Sequence, residues 1–227
     1  MALPTRPEAG RLTETVEHYL EAIYYIGHED LVARPGGLAE WLGVSAPTVT
    51  VTVQRLARDG WLEVAADRSM TLTSVGEVAA SAIVRRHRIL ERWLVDVLGL
   101  DWTAADREAS QLAHGVSDLV VERLDEQLAH PRSCPHGNPI PGRGEVPPGL
   151  VRLDRLPVGS AASVARISEV AEHEAPQLLA LLHQLGLMPG RALSVRTSGS
   201  PLTVVVEGRQ VEVDLATAAA VWVSPDA

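Results

Sequence analysis

The sequence predicts a mostly α-helical protein. A winged helix-turn-helix stands at its N-terminal end, a block of long helices in the middle and a small β-barrel at its C-terminal end. Three observations predict it. Apolar residues recur at helical spacing over most of residues 12–129. Leu38-Ala39-x-x-Leu42-Gly43-Val44-Ser45-x-x-Thr48-Val49 has helix-turn-helix spacing. After a stretch rich in proline and glycine at 130–150, the pattern changes to short alternating apolar runs.

The elements follow in order. Residues 12–28 read as a helix capped by Thr13 or Thr15, with Val16, Leu20, Ile23 and Tyr24 on one face. A short helix at 36–42 stops at Gly43. Ser45 caps the next, whose apolar face is Val49, Val53 and Leu56 and which ends at Asp59-Gly60. Trp61, Leu62 and Val64, a polar turn at 65–69, then Met70 and Leu72 read as a hairpin, the wing. A long helix spans 74–98 and ends at Gly99, and Thr103 caps another running to about 129. Six prolines and four glycines at 130–150 form a loop and linker. Beyond it, strands are expected at 163–167, 192–196, 202–207, 210–213 and 219–224, with one helix at 178–187. The implied divisions are 1–74, 75–142, a linker at 143–150, and 151–227.

The chain has 227 residues, 46% of them hydrophobic and 22% charged, an ordinary globular composition. No apolar run reaches the ~18 residues of a membrane span. The first fourteen residues lack a signal-peptide core, so a cytoplasmic location is expected. One cysteine, Cys134, excludes an internal disulfide and a cysteine-rich zinc module. A net charge of −9 argues against coating nucleic acid by charge alone. The charge is uneven, however. Residues 45–92 hold seven Arg against five acids, while 99–227 hold ten against sixteen.

The second helix of the motif would enter the major groove by its N-terminal turns. Ser45, Pro47, Thr48, Thr50 and Val51 lie there, hydroxyl and apolar groups suited to thymine methyls and phosphates. Arg55, Arg58 and the wing residue Arg68 are candidate phosphate ligands.

Three helices carry metal-type donors at intervals that share a face. His18 and Glu21 are three apart, His87 and Glu91 four apart, and Asp106, Ser110 and His114 successively four apart. Imidazole and carboxylate suit divalent Mn, Fe, Co, Ni or Zn. His28, His130, His173 and His183 read as surface or loop residues, His136 as support for a turn in the Pro-rich segment, and Cys134 as a thiol with no partner placed by spacing.

Arg85-Arg86-His87-Arg88-x-x-Glu91, the His114-x-x-Ser117-Asp118 end of the following helix, and Cys134-Pro135-His136-Gly137-Asn138-Pro139-Ile140-Pro141-Gly142 together resemble the diphtheria-toxin-repressor family of metal-activated transcription regulators, with its iron- and manganese-dependent branches. The resemblance covers roughly residues 12–225. Leu185-Gly186-Leu187-Met188-Pro189-Gly190 makes the C-terminal barrel similar to the FeoA-like domain of longer members. It implies a homodimer joined near 93–98 and 119–128, one or two dimers on a double-stranded DNA operator, and no membrane. It also implies repression switched on by a divalent metal, Mn or Fe before Zn or Co. One metal site is implied at His87, Glu91 and Asp106, where a histidine is usual in place of Asp106, with Glu174 and Gln177 as interdomain ligands. The second is altered: His18, Glu21 and His114 remain, Ser110 is a poor donor and Ala113 none. Val51 stands where iron-type relatives carry a base-reading Gln, which implies a different operator. Two rival readings are a DNA-binding regulator of this fold with altered or lost metal control, and a metal-dependent hydrolase. No nucleophile or general base beyond the donors is evident, so the chain is not expected to be an enzyme.

Overall fold

A computed structural model describes residues 12–175 and 177–226. The described chain divides into two compact units, one up to Ile83 and one from Val84 onward.

The first unit is α1 (Glu14–Gly27), α2 (Pro35–Leu42), α3 (Ala46–Arg58), the hairpin β1 (Leu62–Val64) and β2 (Met70–Leu72), and the first turns of α4 (Ser74–Asp96). Leu20, Leu38, Val49, Leu56, Leu62 and Met70 are buried. Gly43 closes α2 in the left-handed conformation (φ 61°), which a side chain rarely adopts, and so turns the chain sharply into α3. Ser45 caps α3 as expected, its Oγ accepting from the Thr48 amide at 3.3 Å. β1 and β2 pair antiparallel. The winged helix-turn-helix is therefore present as drawn from the sequence.

The second unit holds the rest of α4, then α5 (Trp102–Ala113) and α6 (Asp118–Gln127). The sequence predicts one helix here, capped by Thr103. The chain instead makes two, because Gly115 interrupts the run and Ser117 caps α6 by accepting from Val120 N. The cap of α5 is Asp101, whose carboxylate accepts from Ala104 N at 2.9 Å. After the Pro-rich segment come β3 (Val151–Arg152), a 3-10 turn at Leu153–Arg155, β4 (Ala161–Ile167), α7 (Glu169–Glu174), α8 (Leu178–Leu185), β5 (Ala192–Thr197), β6 (Leu202–Val206), β7 (Arg209–Val213), α9 (Leu215–Ala219) and β8 (Val221–Pro225). Strand order is β3-β8-β4-β5-β6-β7, all antiparallel.

This corrects the expected barrel. Register shifts at Val164/Arg166 and Val195/Thr197 bend the sheet over its core. Yet β3 is two residues long and pairs only with β8, so the sheet stays open between β3 and β7. The core beneath it includes Leu153, Ile167, Leu182, Leu187, Val204, Val221 and Val223, and Trp102 of α5 inserts into the same cluster. That insertion fixes the start of α5 against the C-terminal sheet.

A polar knot ties α4 and α6 to the Pro-rich segment. Asp125, its side chain 2% exposed, accepts from Arg85 at 2.9 Å and Arg143 at 2.7 Å, with His130 Nδ1 at 3.0 Å. Burial alone raises its carboxyl, but the hydrogen bonds from Arg143, Arg85 and His130 outweigh burial and bring it down to about 2. A lowered carboxylate contributes stability that is complete above its unfolded value near ~4 and is lost as pH falls toward the folded value. Asp125→Asn is expected to cost about 2 kcal/mol at neutral pH and to flatten the dependence of melting temperature on pH between about 4 and 2. Parallel melting curves for the two proteins across that window exclude this role.

Candidate metal centre and nucleic-acid interface

The metal centre starts on α4. Positions four apart on a helix share a face, and His87 and Glu91 both lie on the buried one, Glu91 only 3% exposed. His87 Nε2 is 3.5 Å from Glu91 Oε1 and 3.5 Å from Asp106 Oδ1 on α5. Asp106 is 39% exposed and forms the solvent side of the group. Three sequence-identified donors thus converge.

A second set arrives from the Pro-rich segment. Cys134 O accepts from Gly137 N at 3.0 Å, and Cys134 N donates to Asn138 O at 2.9 Å, which closes a tight loop. The loop lies on β4. His136 O accepts from Ile167 N at 2.9 Å, and the Asn138 amide donates to Ile167 O at 3.0 Å and accepts from Arg166 at 3.2 Å. Gly137 (φ 85°) sits where a Cβ would come 2.1 Å from the Ala165 carbonyl oxygen, so only glycine permits this approach. Cys134 and His136 are buried as a result. His136 Nδ1 lies 3.3 Å from Glu91 Oε1 and 3.6 Å from Glu172 Oε2 on α7. The Trp102 ring meets the imidazole edge-on at 5.0 Å, and His136 Nε2 has no hydrogen-bond partner among the described residues.

Two ligand groups result, His87–Glu91–Asp106 and Glu91–Cys134–His136, each with its donor atoms within 4.8 Å of one another. Burial pushes Glu91 up, but the His136 and His87 imidazoles outweigh it and hold its carboxyl below the ordinary range. Burial works against protonation of His136, yet the Glu172 and Glu91 carboxylates raise it well above its usual value. Glu172 is pushed up to about 8 by burial and by Asp106, Glu91 and Glu169, against the pull of His136. Burial and the Glu91 charge also raise the Cys134 thiol. The centre is thus an excess of buried acid balanced by protons, the arrangement a divalent cation replaces. Its nitrogen, oxygen and sulfur donors fit such an ion.

Arg88 fastens the surroundings. Its Nε donates to Glu169 Oε1 at 3.1 Å, its Nη2 to Glu169 Oε2 at 2.8 Å, and its Nη1 to the Pro139 carbonyl.

The remaining sequence-assigned donors fall elsewhere. Glu174 and Gln177 are exposed at the end of α7 and before α8, while Glu172 and Glu169, earlier on α7, face the centre and Arg88. The family pattern points to Glu174 and Gln177, while the side chains of α7 turned toward His136 and Arg88 are Glu172 and Glu169. Cys134 and His136 were passed over because the Pro-rich segment has no periodicity to show which side chains it buries. His18 and Glu21 lie on α1 of the first unit, Ser110 and His114 on α5 of the second.

Three family models match the chain. An iron-dependent repressor N-terminal DNA-binding domain covers residues 11–70, an iron-dependent repressor metal-binding and dimerisation domain covers 73–142, and a FeoA domain covers 151–225. The chain belongs to the iron-dependent repressor family. Among its relatives, the iron-dependent repressor IdeR of Mycobacterium tuberculosis is 39% identical over 88% of this chain and 91% of that protein. The diphtheria toxin repressor of Corynebacterium glutamicum is 36% identical over 91% of this chain and 95% of its own length. A solved manganese-dependent transcriptional repressor in complex with manganese superposes with a TM-score of 0.83 at 34% identity, over 93% of this chain and all of that one. IdeR of T. acidophilum superposes at 0.78 with 29% identity, covering 96% of this chain and all of that one.

In this iron-dependent repressor homologue α3 is the helix of the DNA-binding model that follows the turn. Val49, Thr52, Val53 and Leu56 are buried beneath it. Pro47, Thr48, Thr50, Val51, Arg55 and Arg58 are exposed, Val51 at 67%. Ser45 Oγ and Thr48 Oγ1 hydrogen-bond each other at 2.8 Å, and Thr50 donates to Ala46 O at 3.0 Å. The Thr50 hydroxyl hydrogen and one of the Ser45–Thr48 pair are thus used within the helix, and the other hydroxyl of that pair keeps its hydrogen. Arg58 is paired with Asp59 at 3.1 Å. Arg68 stands at the wing tip with φ 66°, beside an Asp67 held by Ser69 and Arg34.

Proposed function

We propose that this chain is a divalent-metal-activated transcriptional repressor, working as a homodimer on double-stranded operator DNA, with Glu91 at the middle of its sensing centre. The observation that carries this reading is the convergence of His87, Asp106, Cys134, His136 and Glu172 around that one buried carboxylate, in a chain that also carries a winged helix. Relatives named iron-dependent repressor and diphtheria toxin repressor, and neighbours solved as manganese-dependent repressors, support the same function. Neighbours solved with Cd²⁺ and Zn²⁺ support a divalent ion in general. Mn²⁺ or Fe²⁺ is the ion proposed here. Zn²⁺ and Co²⁺ fit the same donors and rank above Mn²⁺ in intrinsic affinity, so availability in the cell decides.

A bound cation supplies the positive charge that lets these acids approach one another. In its absence Glu91 is held by the His87 and His136 imidazoles, while burial and neighbouring acids push Glu172 up. The side chains of α4, α5 and α7 then compete for those few partners. A switch from mostly inactive to mostly active requires about 5 kcal/mol of preference for one state. His18, Glu21 and His114 are proposed as a further donor set on the family pattern. Ser110 adds little to it, which shifts the weight of sensing to the Glu91 centre. Exposed Val97, Leu98, Leu119 and Val120 are candidates for the dimer face, in the span of the dimerisation model. Ser45, Pro47, Thr48, Thr50 and Val51 are proposed to read bases, and Arg55, Arg58 and Arg68 to hold phosphates.

The test is anisotropy of fluorescent duplexes, selected from a random pool, with chelator-stripped protein and added Mn²⁺. Binding is expected with Mn²⁺ and not without. Affinity unchanged by chelator overturns metal control, and no selected duplex overturns DNA binding. Within the same assay, Arg55→Ala is expected to weaken all duplexes alike and to reduce the salt slope by about 1. Loss of preference for one sequence only contradicts its phosphate role.

A further inference from the structure

Glu91 belongs to both donor groups, and the groups do not merge. His87, Glu91 and Asp106 close within 4.8 Å, as do Glu91, Cys134 and His136, but the five residues do not close together within that distance. Donors on one ion sit about 2.0–2.3 Å from it, so any two of them are at most about 4.6 Å apart. One cation therefore cannot take its ligands from both groups in this arrangement. The same oxygen, Oε1 of Glu91, lies 3.5 Å from His87 Nε2 and 3.3 Å from His136 Nδ1.

Charge is compatible with this division. Glu169 is neutralised by its contact with Arg88, which leaves Glu91 and its neighbours as the acids that cations balance in place of protons.

We propose that Glu91 is a bridging carboxylate between two divalent cations. One ion is held by His87 and Asp106, the other by Cys134 and His136, with Glu172 beside His136 at 3.6 Å. The first position is all nitrogen and oxygen. The second includes a thiolate and so takes a softer ion. This rests on the metal-sensor reading and deepens it from one site to a coupled pair, in which filling one position changes the other.

The experiment is an anaerobic titration of full-length, chelator-stripped protein with Co²⁺, followed by near-ultraviolet and visible absorption. A His18→Ala, His114→Ala background removes donors outside the centre. The parent is expected to bind two Co²⁺ per chain, one of which produces a thiolate-to-cobalt charge-transfer band. Cys134→Ser is expected to lose that band and one equivalent. His87→Ala is expected to lose one equivalent and keep the band. Glu91→Gln is expected to weaken both. His87→Gln, which keeps the side-chain volume, runs beside His87→Ala with circular dichroism, so that a folding defect is recognised. A single equivalent, or a band lost in both His87 variants while the fold is retained, overturns the bridge and leaves a one-ion sensor. No Co²⁺ bound overturns the bridge and the metal-sensor reading together.

Discussion

Glu91→Gln is expected to abolish metal-dependent DNA binding, with a loss of metal affinity on the order of 100-fold or more. The residue is common to both donor groups and 3% exposed, so nothing else in the buried centre can take its place. The change keeps the shape and removes the charge, which separates ligation from packing. Glu172→Gln is expected to lower affinity by about 10-fold, because Glu172 meets the centre at His136, 3.6 Å away. Glu174→Ala and Gln177→Ala are expected to leave affinity unchanged, since both residues are exposed. Calorimetry with Mn²⁺ on the four variants ranks them. Wild-type affinity in Glu91→Gln, or a defect in Glu174→Ala equal to that in Glu172→Gln, contradicts this placement of the donors.

Gly137→Ala is expected to cost about 2–4 kcal/mol of stability and to remove the contribution of Cys134 and His136 to metal binding. Two causes add. The residue adopts φ 85°, and an added Cβ would meet the Ala165 carbonyl oxygen at 2.1 Å and Arg166 Cα at 2.9 Å. Both obstacles are backbone, so relief requires the loop to lift from β4. Lifting breaks the bonds from Ile167 N to His136 O and from Asn138 to Ile167 O, and His136 leaves Glu91. Thermal melting gives the first effect. Loss of the thiolate-to-cobalt band gives the second. A variant that melts like the parent and keeps the band rules out this account of the glycine.

Periodicity was sufficient for most of the architecture. The winged helix is explicit in Gly43, Ser45 and the Val49–Val53–Leu56 spacing, and each central strand of the C-terminal sheet alternates as its burial requires. Short elements were not legible. α7 has six residues and α9 five, too few to establish a helical stripe. The closed barrel was a natural inference from alternating strands, but closure depends on edge pairing, which alternation does not encode. In the centre, His87 and Glu91 could be found because four residues on a helix fix their relation. Cys134 and His136 could not, because a proline-rich loop has no repeat that relates one side chain to the next. The signal available was chemical: a cysteine and a histidine two apart in a segment with too many fixed φ angles to be a passive tether. Glu172 and Glu174 lie two residues apart on a helix of six, too short for a stripe to show which side chain faces His136.

Arg88 bears on which contacts the sensor keeps when its charge balance changes. Its contacts to Glu169 and to the Pro139 carbonyl join α7, the loop and α4 through groups that are not metal donors. The walls of the pocket are therefore joined by contacts that need no ion. The Arg88 contacts and the metal donors are thus separate sets of groups on the same elements, so a change in the charge balance of the centre leaves the Arg88–Glu169 contact intact.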